Sequence, residues 1–202
     1  MQKNWDFMIK TFEFYFDFAS PYTFIAHKKI RKTEKEHSIK IKYMPIFLGG
    51  LLKLAGIKAN MEIPLKRKYM IKDCKICSEK ENINFKFNNY FPINTLNLMR
   101  CVLVAEKRDF SENFINKIFD SIWVDGLNLN DNSIFNKVLK NLDINPNNFL
   151  IEMVNEKIKD ELKKRTNEAF KKGIFGSPSF IINKKIFWGQ DRLEFVLNEA
   201  RK

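Results

Sequence analysis

The chain has little of what a disulfide scaffold, a metal site or a membrane span requires. Its 202 residues hold three cysteines, an odd number that does not build a secreted disulfide framework. Histidine occurs only twice, and no His or second cysteine pair completes a zinc ligand set around the C-x-x-C at Cys74 and Cys77. No stretch reaches the ~18 apolar residues that a membrane-crossing helix needs. The opening M-Q-K-N-W-D-F-M-I-K lacks an apolar core of signal-peptide length, so the expectation is an intracellular, cytoplasmic protein. A dense basic block with interleaved aromatics is missing too. The net charge is +12, but the lysines are spread along the chain among Glu, Asn and Ile. That pattern is one of solvated faces, and the expectation is no nucleic-acid and no membrane partner, with a basic surface that favours small anionic ligands.

What the chain does have is 45% hydrophobic residues, enough for a packed core, and one stretch that organises the rest. Thr11 to Phe24 reads T-F-E-F-Y-F-D-F-A-S-P-Y-T-F. Phe12, Phe14, Phe16 and Phe18 alternate with Glu13, Tyr15 and Asp17, the period of a strand. Ser20 then offers a hydroxyl N-cap, and Pro21 suits the first helical position because it has no N–H to orphan. A hydroxyl is thereby set at the positive end of a helix, just past the end of a strand, where open α/β folds place ligand chemistry.

The helix is expected over Pro21–His37, with Phe24, Ile25 and Ile30 inward, followed by a strand over Ser38–Met44. A strand–helix–strand unit of this length favours parallel strands. From Pro45 to Gly173 the spacing is mostly helical, in segments near Phe47–Leu54, Leu65–Lys80, Thr95–Lys107, Ser111–Trp123, Ser133–Leu142, Pro146–Val154 and Lys159–Lys172. Asn, Gly and Pro clusters separate them, and the calcium-like D-G-L-N-L-N-D-N lacks the order of an EF-hand loop. After a turn at Gly173–Pro178, short strands are expected at Ser179–Ile182 and Ile186–Trp188, with Asn183, Lys184 and Lys185 as the hairpin. Gln190, Asp191 and Arg192 open a last helix with Leu193, Phe195, Val196 and Leu197 inside it. The order β-α-β, helices, β-β-α is that of a thioredoxin-like α/β fold with a large all-helical insertion. The expected division is a discontinuous thioredoxin-like domain, 1–45 and 174–202, around an inserted helical domain, 46–173. Cys74 and Cys77 fall on a helix already under way, so they read as an incidental spacing, dispensable and remote from the strand–turn–helix site.

In a thioredoxin-like fold the turn after the first strand normally carries C-P-x-C. Here Ser20, Pro21, Tyr22 and Thr23 stand in those places, and dithiol–disulfide exchange has neither sulfur it needs. D-F-x-S-P-Y near the start, G-x-F-G-S-P late in the chain and F-W-G-Q-D-R-L at the last helix occur in one order over nearly the whole length. That set resembles the 2-hydroxychromene-2-carboxylate isomerases and the related kappa-class glutathione transferases of the DsbA-like group. The resemblance implies glutathione as cofactor, a small aromatic or electrophilic substrate and a homodimer. It implies that Ser20 hydrogen-bonds the glutathione sulfur and that Pro178 is a cis-proline facing the active turn. It further implies that Ser177 pairs with the tripeptide backbone and that Gln190, Asp191 and Arg192 hold its γ-glutamyl end. Pro21 and Tyr22 belong to the same turn, and Lys66 and Asp73 match positions that reach glutathione. One departure stands out: the family commonly has Gly-Asn where this chain has Gly56-Ile57, and Asn60 nearby does not align.

The implied function is a glutathione-dependent isomerase of an aromatic ring-fission product. The alternatives are a kappa-like transferase releasing a stable conjugate, a DsbA-like oxidoreductase, which the missing cysteine pair disfavours, and a catalytically silent thioredoxin-fold binding module.

Overall fold

The computed structural model describes residues 11–37 and 40–202. The expectation drawn from the first ten residues, and the start of the second strand at Ser38, lie outside them. The element order is β1 (Phe12–Phe16), α1 (Pro21–His37), β2 (Ile41–Pro45), α2 (Leu48–Ala55), α3 (Pro64–Lys80), α4 (Leu96–Lys107), α5 (Ser111–Trp123), α6 (Asn132–Lys140), α7 (Pro146–Met153), α8 (Glu156–Lys171), β3 (Ser179–Ile182), β4 (Lys185–Trp188) and α9 (Leu193–Ala200). Short 3-10 turns at Asn60–Glu62 and Gln190–Arg192 precede α3 and α9. The four strands form one sheet in the order β2-β1-β3-β4. β1 and β2 are parallel across the α1 crossover, whereas β3 runs antiparallel to β1 and β4 antiparallel to β3. This is a thioredoxin-like α/β fold.

Local chemistry sets the boundaries. Ser20 caps α1 by accepting the Thr23 N–H at 3.2 Å, with Pro21 as the first helical residue. Asp131, Asn145 and Asn155 cap α6, α7 and α8 in the same way. Gly56, at φ +66, ends α2 in the left-handed conformation, and the Ile57 N–H closes back on the Leu52 carbonyl. The β3–β4 turn is tighter than the sequence suggests. It consists of Asn183 and Lys184, both at positive φ, which is the twist a two-residue hairpin demands; Lys185 already belongs to β4.

Burial explains two further differences from the alternating pattern. Phe12, Phe14 and Phe16 are buried on one face, but Tyr15 on the other face is buried as well, against Ile46, Leu51, Ala169 and Ile174. Both faces of the sheet are covered, so alternation understates the core. Phe18 lies in the turn beyond β1, not in the strand, and packs edge-on against Phe119 of α5 at 4.8 Å between centroids. Phe24 and Trp123 extend this aromatic cluster, which ties the sheet to the helices; each such ring contributes roughly 1.5–3 kcal/mol on burial. Phe195, expected inside α9, is 53% exposed, with the Arg192 guanidinium over its ring, while Leu193 and Val196 face the core.

His27 sits fully buried in α1, stacked on Phe119 at 4.7 Å and joined through Nδ1 to the Tyr43 hydroxyl at 2.9 Å. Burial, with Arg31 and Lys28 nearby, pushes its pKa well below the ordinary 6.5. The unfolded chain therefore takes up a proton on His27 below about pH 6.5 that the folded protein refuses. His27 supports full stability above that pH and withdraws it as the pH falls. Melting temperature measured from pH 7 to pH 5 should fall for the wild-type protein and fall less steeply for His27→Gln. Equal slopes would contradict this account.

Candidate active site

The ends of β1 and β3 open onto a cleft of about 2010 Å³, bounded by the start of α1, the start of α2, α3 and the β4–α9 connection. That exceeds the ~300–1,000 Å³ of a typical small-molecule pocket, so there is room for an extended ligand and a second molecule beside it.

At its base the N-terminus of α1 meets the loop before β3. The Ser177–Pro178 peptide is cis, as the resemblance implies; a second cis peptide, Phe91–Pro92, has no counterpart in the sequence reading. The Ser20 hydroxyl donates to the Ser177 carbonyl at 3.1 Å and accepts the Thr23 N–H. The Ser177 hydroxyl donates to the Tyr15 carbonyl at 3.2 Å and lies 2.8 Å from the Thr23 hydroxyl. Two helical hydroxyls and one loop residue thus lock the turn to the strand. Ser20 is only 7% exposed, yet it lines the cleft. Pro21 has no N–H and the Thr23 N–H is taken. The Tyr22 N–H is left as the open donor of the first turn, with no backbone acceptor among the described residues. The chemistry available here is that of a helix N-terminus with a hydroxyl at its tip, a place for a developing or resident anion.

A second cluster sits on the α3 side. Asp73 accepts the Tyr22 hydroxyl at 2.8 Å on one carboxylate oxygen and the Tyr69 hydroxyl at 3.2 Å on the other. The Cys77 thiol points to the same carboxylate at 3.8 Å and receives the Gln190 amide at 3.3 Å. Lys29 of α1 reaches the Gln190 carbonyl at 3.1 Å and Glu81 at 3.3 Å. Burial and the neighbouring Asp73 raise the Tyr22 hydroxyl far above its ordinary pKa, so it remains a proton donor.

The structure brings all ten residues singled out in the sequence to this one cleft. Ser20, Pro21, Tyr22, Ser177 and Pro178 form its base, and Asp73 and Gln190 its α3 side. Asp191, paired with Arg192 at 3.2 Å, and the exposed Lys66 stand at its rim. Ile57 and Asn60 line it too. Two motif glycines have steric reasons: a Cβ on Gly176 would lie 2.7 Å from the Trp188 indole nitrogen. Gly189, at φ +117, would place one 2.6 Å from the Asp191 carboxylate.

The expectation for the C-x-x-C is corrected in half. Cys74 is buried in the core, but Cys77 is half-buried and lines the cleft, in contact with Asp73 and Gln190. Positions 73 and 77 are one turn apart on α3 and share a face, so placing Asp73 at the cleft places Cys77 there too. Tyr69 follows by the same rule, at position 73 minus four. Asp17 and Thr23 also escaped notice: both are buried polar residues inside apolar runs, and no local pattern reports where their side chains find partners.

The comparisons with known proteins agree with this geometry. The chain is 29% identical over 192 residues to a 2-hydroxychromene-2-carboxylate isomerase of Sphingobium xenophagum, covering 94% of this chain and 97% of that one. It is 26% identical over 203 residues to glutathione S-transferase kappa 1 of Caenorhabditis elegans, covering 91% and 88%. A solved 2-hydroxychromene-2-carboxylate isomerase superposes with a TM-score of 0.85 at 22% identity, over 95% of this chain and 94% of that one, a likeness of fold. These relatives are enzymes by name, an isomerase and a transferase. The family profile described as the DSBA-like thioredoxin domain matches residues 11–200, and on that match the chain belongs to the DsbA-like thioredoxin family.

Proposed function

We propose that the protein is a glutathione-dependent isomerase acting on an aromatic ring-fission product of the 2-hydroxychromene-2-carboxylate type. The observation that carries this reading is Ser20: a hydroxyl, not a thiol, at the tip of α1 and in contact with the carbonyl that precedes cis-Pro178. The lining suits the tripeptide. Glutathione carries two carboxylates and one ammonium, and the cleft mixes Lys66, Arg192 and other cations with Asp73, Asp191 and other acids. When bound, glutathione supplies a thiolate that adds reversibly to an electron-poor carbon and departs after the intervening bond has turned.

The chain's own residues do the rest. The Ser20 hydroxyl donates its proton to the Ser177 carbonyl. Turning that hydroxyl toward a sulfur anion frees the carbonyl to accept a backbone N–H from the tripeptide, so one rotation satisfies two partners. The Tyr22 N–H and the positive end of α1 add to the anion's stabilisation. Lys66 stands at the rim as a point charge for a carboxylate. The resemblance further implies a homodimer.

Two outcomes test the reading. Ultraviolet titration should find the thiol of bound glutathione ionising below the ~8.5 of a free thiol, and Ser20→Ala should reverse about 1–2 pH units of that shift, the worth of one hydrogen bond to an anion. Total glutathione should stay constant while 2-hydroxychromene-2-carboxylate is converted to its open-chain isomer. Loss of free thiol in step with product would make the protein a transferase. A separate check concerns Cys77. Alkylation of the native protein should label Cys77 ahead of the buried Cys74 and Cys101, faster as the pH rises past 9, because burial and Asp73 push this thiol up. Saturating glutathione should slow that labelling, and unchanged labelling would exclude the Gln190 side of the cleft from the ligand's footprint.

A further inference from the structure

Asp17 follows β1 and is completely buried. Among the described residues no charged side chain contacts it; its partners are three uncharged donors. One carboxylate oxygen accepts the Ala19 N–H at 2.9 Å and the Thr95 hydroxyl at 2.6 Å, and the other accepts the Leu48 N–H at 2.7 Å. Each donor belongs to a different wall of the cleft. Ala19 precedes Ser20, Leu48 is the first residue of α2, and Thr95 is the cap position of α4.

Two details show that this is more than a satisfied core residue. The residue before α2, Phe47, has no side chain able to cap it, and the α2 N-terminus finds its capping acceptor in Asp17, 31 positions away. Thr95 makes no capping bond to α4, because its hydroxyl is committed to Asp17. Both helix starts are therefore referred to a point beneath the Ser20 turn. Trp123 fastens the same turn from below, donating to the Phe18 carbonyl at 2.9 Å.

We propose that Asp17 is a positioning residue: it fixes the Ser20 turn, the α2 wall and the α4 wall at set distances and thereby shapes the cleft around the reacting thiol. The kinetic part of this rests on the glutathione reading above, whereas the structural part does not. A carboxylate is required because both oxygens accept backbone N–H groups on diverging sides. An amide of the same shape has one acceptor, so its NH2 would confront either Leu48 or Ala19. Burial raises the Asp17 pKa, which means that ionised Asp17 is costly to the fold and that removing its charge relieves that cost.

The test is Asp17→Asn, read by amide hydrogen exchange, thermal melting and kinetics together. Exchange should accelerate at Ala19 or Leu48 by roughly tenfold, the loss of one good hydrogen bond, while Phe14 and Phe16 in β1 keep their protection. The melting temperature should hold or rise, and kcat/KM and the bound thiol's pKa should both move toward the uncatalysed values. A merely structural Asp17 would instead lose melting temperature and activity together, and that result overturns the proposal, as would unchanged exchange at both amides. If Asp17→Asn does not fold, Thr95→Val decides. It frees only the α4 wall, and the proposal expects at least a roughly threefold rise in KM with melting unchanged. An unchanged KM, or for a protein without turnover an unchanged exchange pattern around Thr95, counts against it. Should the wild-type protein fail to bind glutathione, the functional reading falls, and the exchange data still decide the role of Asp17.

Discussion

The site exists only because β1 is paired on both edges. One partner, β2, arrives after a single helix, but the other, β3, comes from beyond seven helices. Its register sets Tyr15 opposite Ser179 and Phe14 opposite Phe180. That pairing brings the Ser177 carbonyl over the N-terminus of α1 and lets the Ser177 hydroxyl reach back to the Tyr15 carbonyl. A slip of one residue would turn every β3 side chain to the wrong face and carry Ser177 off the Ser20 hydroxyl. The helices between β2 and β3 must close a long loop before this contact is rewarded, and the aromatic cluster of Phe16, Phe18, Phe119 and Trp123 is what holds that loop closed.

How much of this the sequence disclosed depends on whether the cause was local. Ser20 and Pro21 declare the start of α1 because capping is a matter of three neighbouring residues. Helix α5 was readable from Ser111 to Trp123 because one face repeats every three or four residues. The hairpin was readable as a hairpin but one residue too wide, since nothing in Asn183-Lys184-Lys185 says which residue resumes the strand. Phe195 failed because helical spacing identifies a stripe, not which neighbour covers it, and the Arg192 guanidinium covers that ring in place of the core. Asp17 and Cys77 failed for a deeper reason. Each has a near partner, Ala19 for Asp17 and Asp73 for Cys77, but each also bonds across 31 or 113 positions, to Leu48 and Gln190, and no window of sequence contains both ends of such a bond. Lys66 and Asp73 could be named only through ordered motifs shared with a family.

Dithiol–disulfide exchange needs a thiolate to attack and a second thiol to resolve. Here the turn has a helix N-terminus, a cis-proline loop and a carbonyl facing it, with hydroxyls at Ser20 and Thr23 in place of the two thiols of C-P-x-C. A hydroxyl in that place ionises far less readily than a thiol, so it stays a hydrogen-bond donor. Thr23 at the second sulfur's place is turned inward to Ser177, where it braces the loop; a resolving thiol there would have to leave that contact. With hydroxyls at both places the turn carries no sulfur of its own, and the proposed function starts from that fact.

The overall charge looks at first like the strongest functional signal in the sequence, and it is the weakest. A net +12 implies an anion-seeking surface, yet the cleft itself interleaves cations with acids, and several are already paired: Lys28 with Asp120, Lys29 with Glu81, Arg192 with Asp191. Exposed lysines elsewhere are screened within about 8–10 Å at physiological salt, so they steer an anionic ligand toward the protein without choosing its pose. Selection has to come from groups whose direction is fixed. In this cleft those are the Ser20 hydroxyl, the Ser177 carbonyl and the Asp73 carboxylate held by two phenols, and each is oriented by a contact that crosses from one end of the chain to the other or from one helix to the next. A simple anion needs only the helix end, whereas the three groups together offer a hydroxyl donor, a carbonyl acceptor and a carboxylate to a ligand that carries several polar groups.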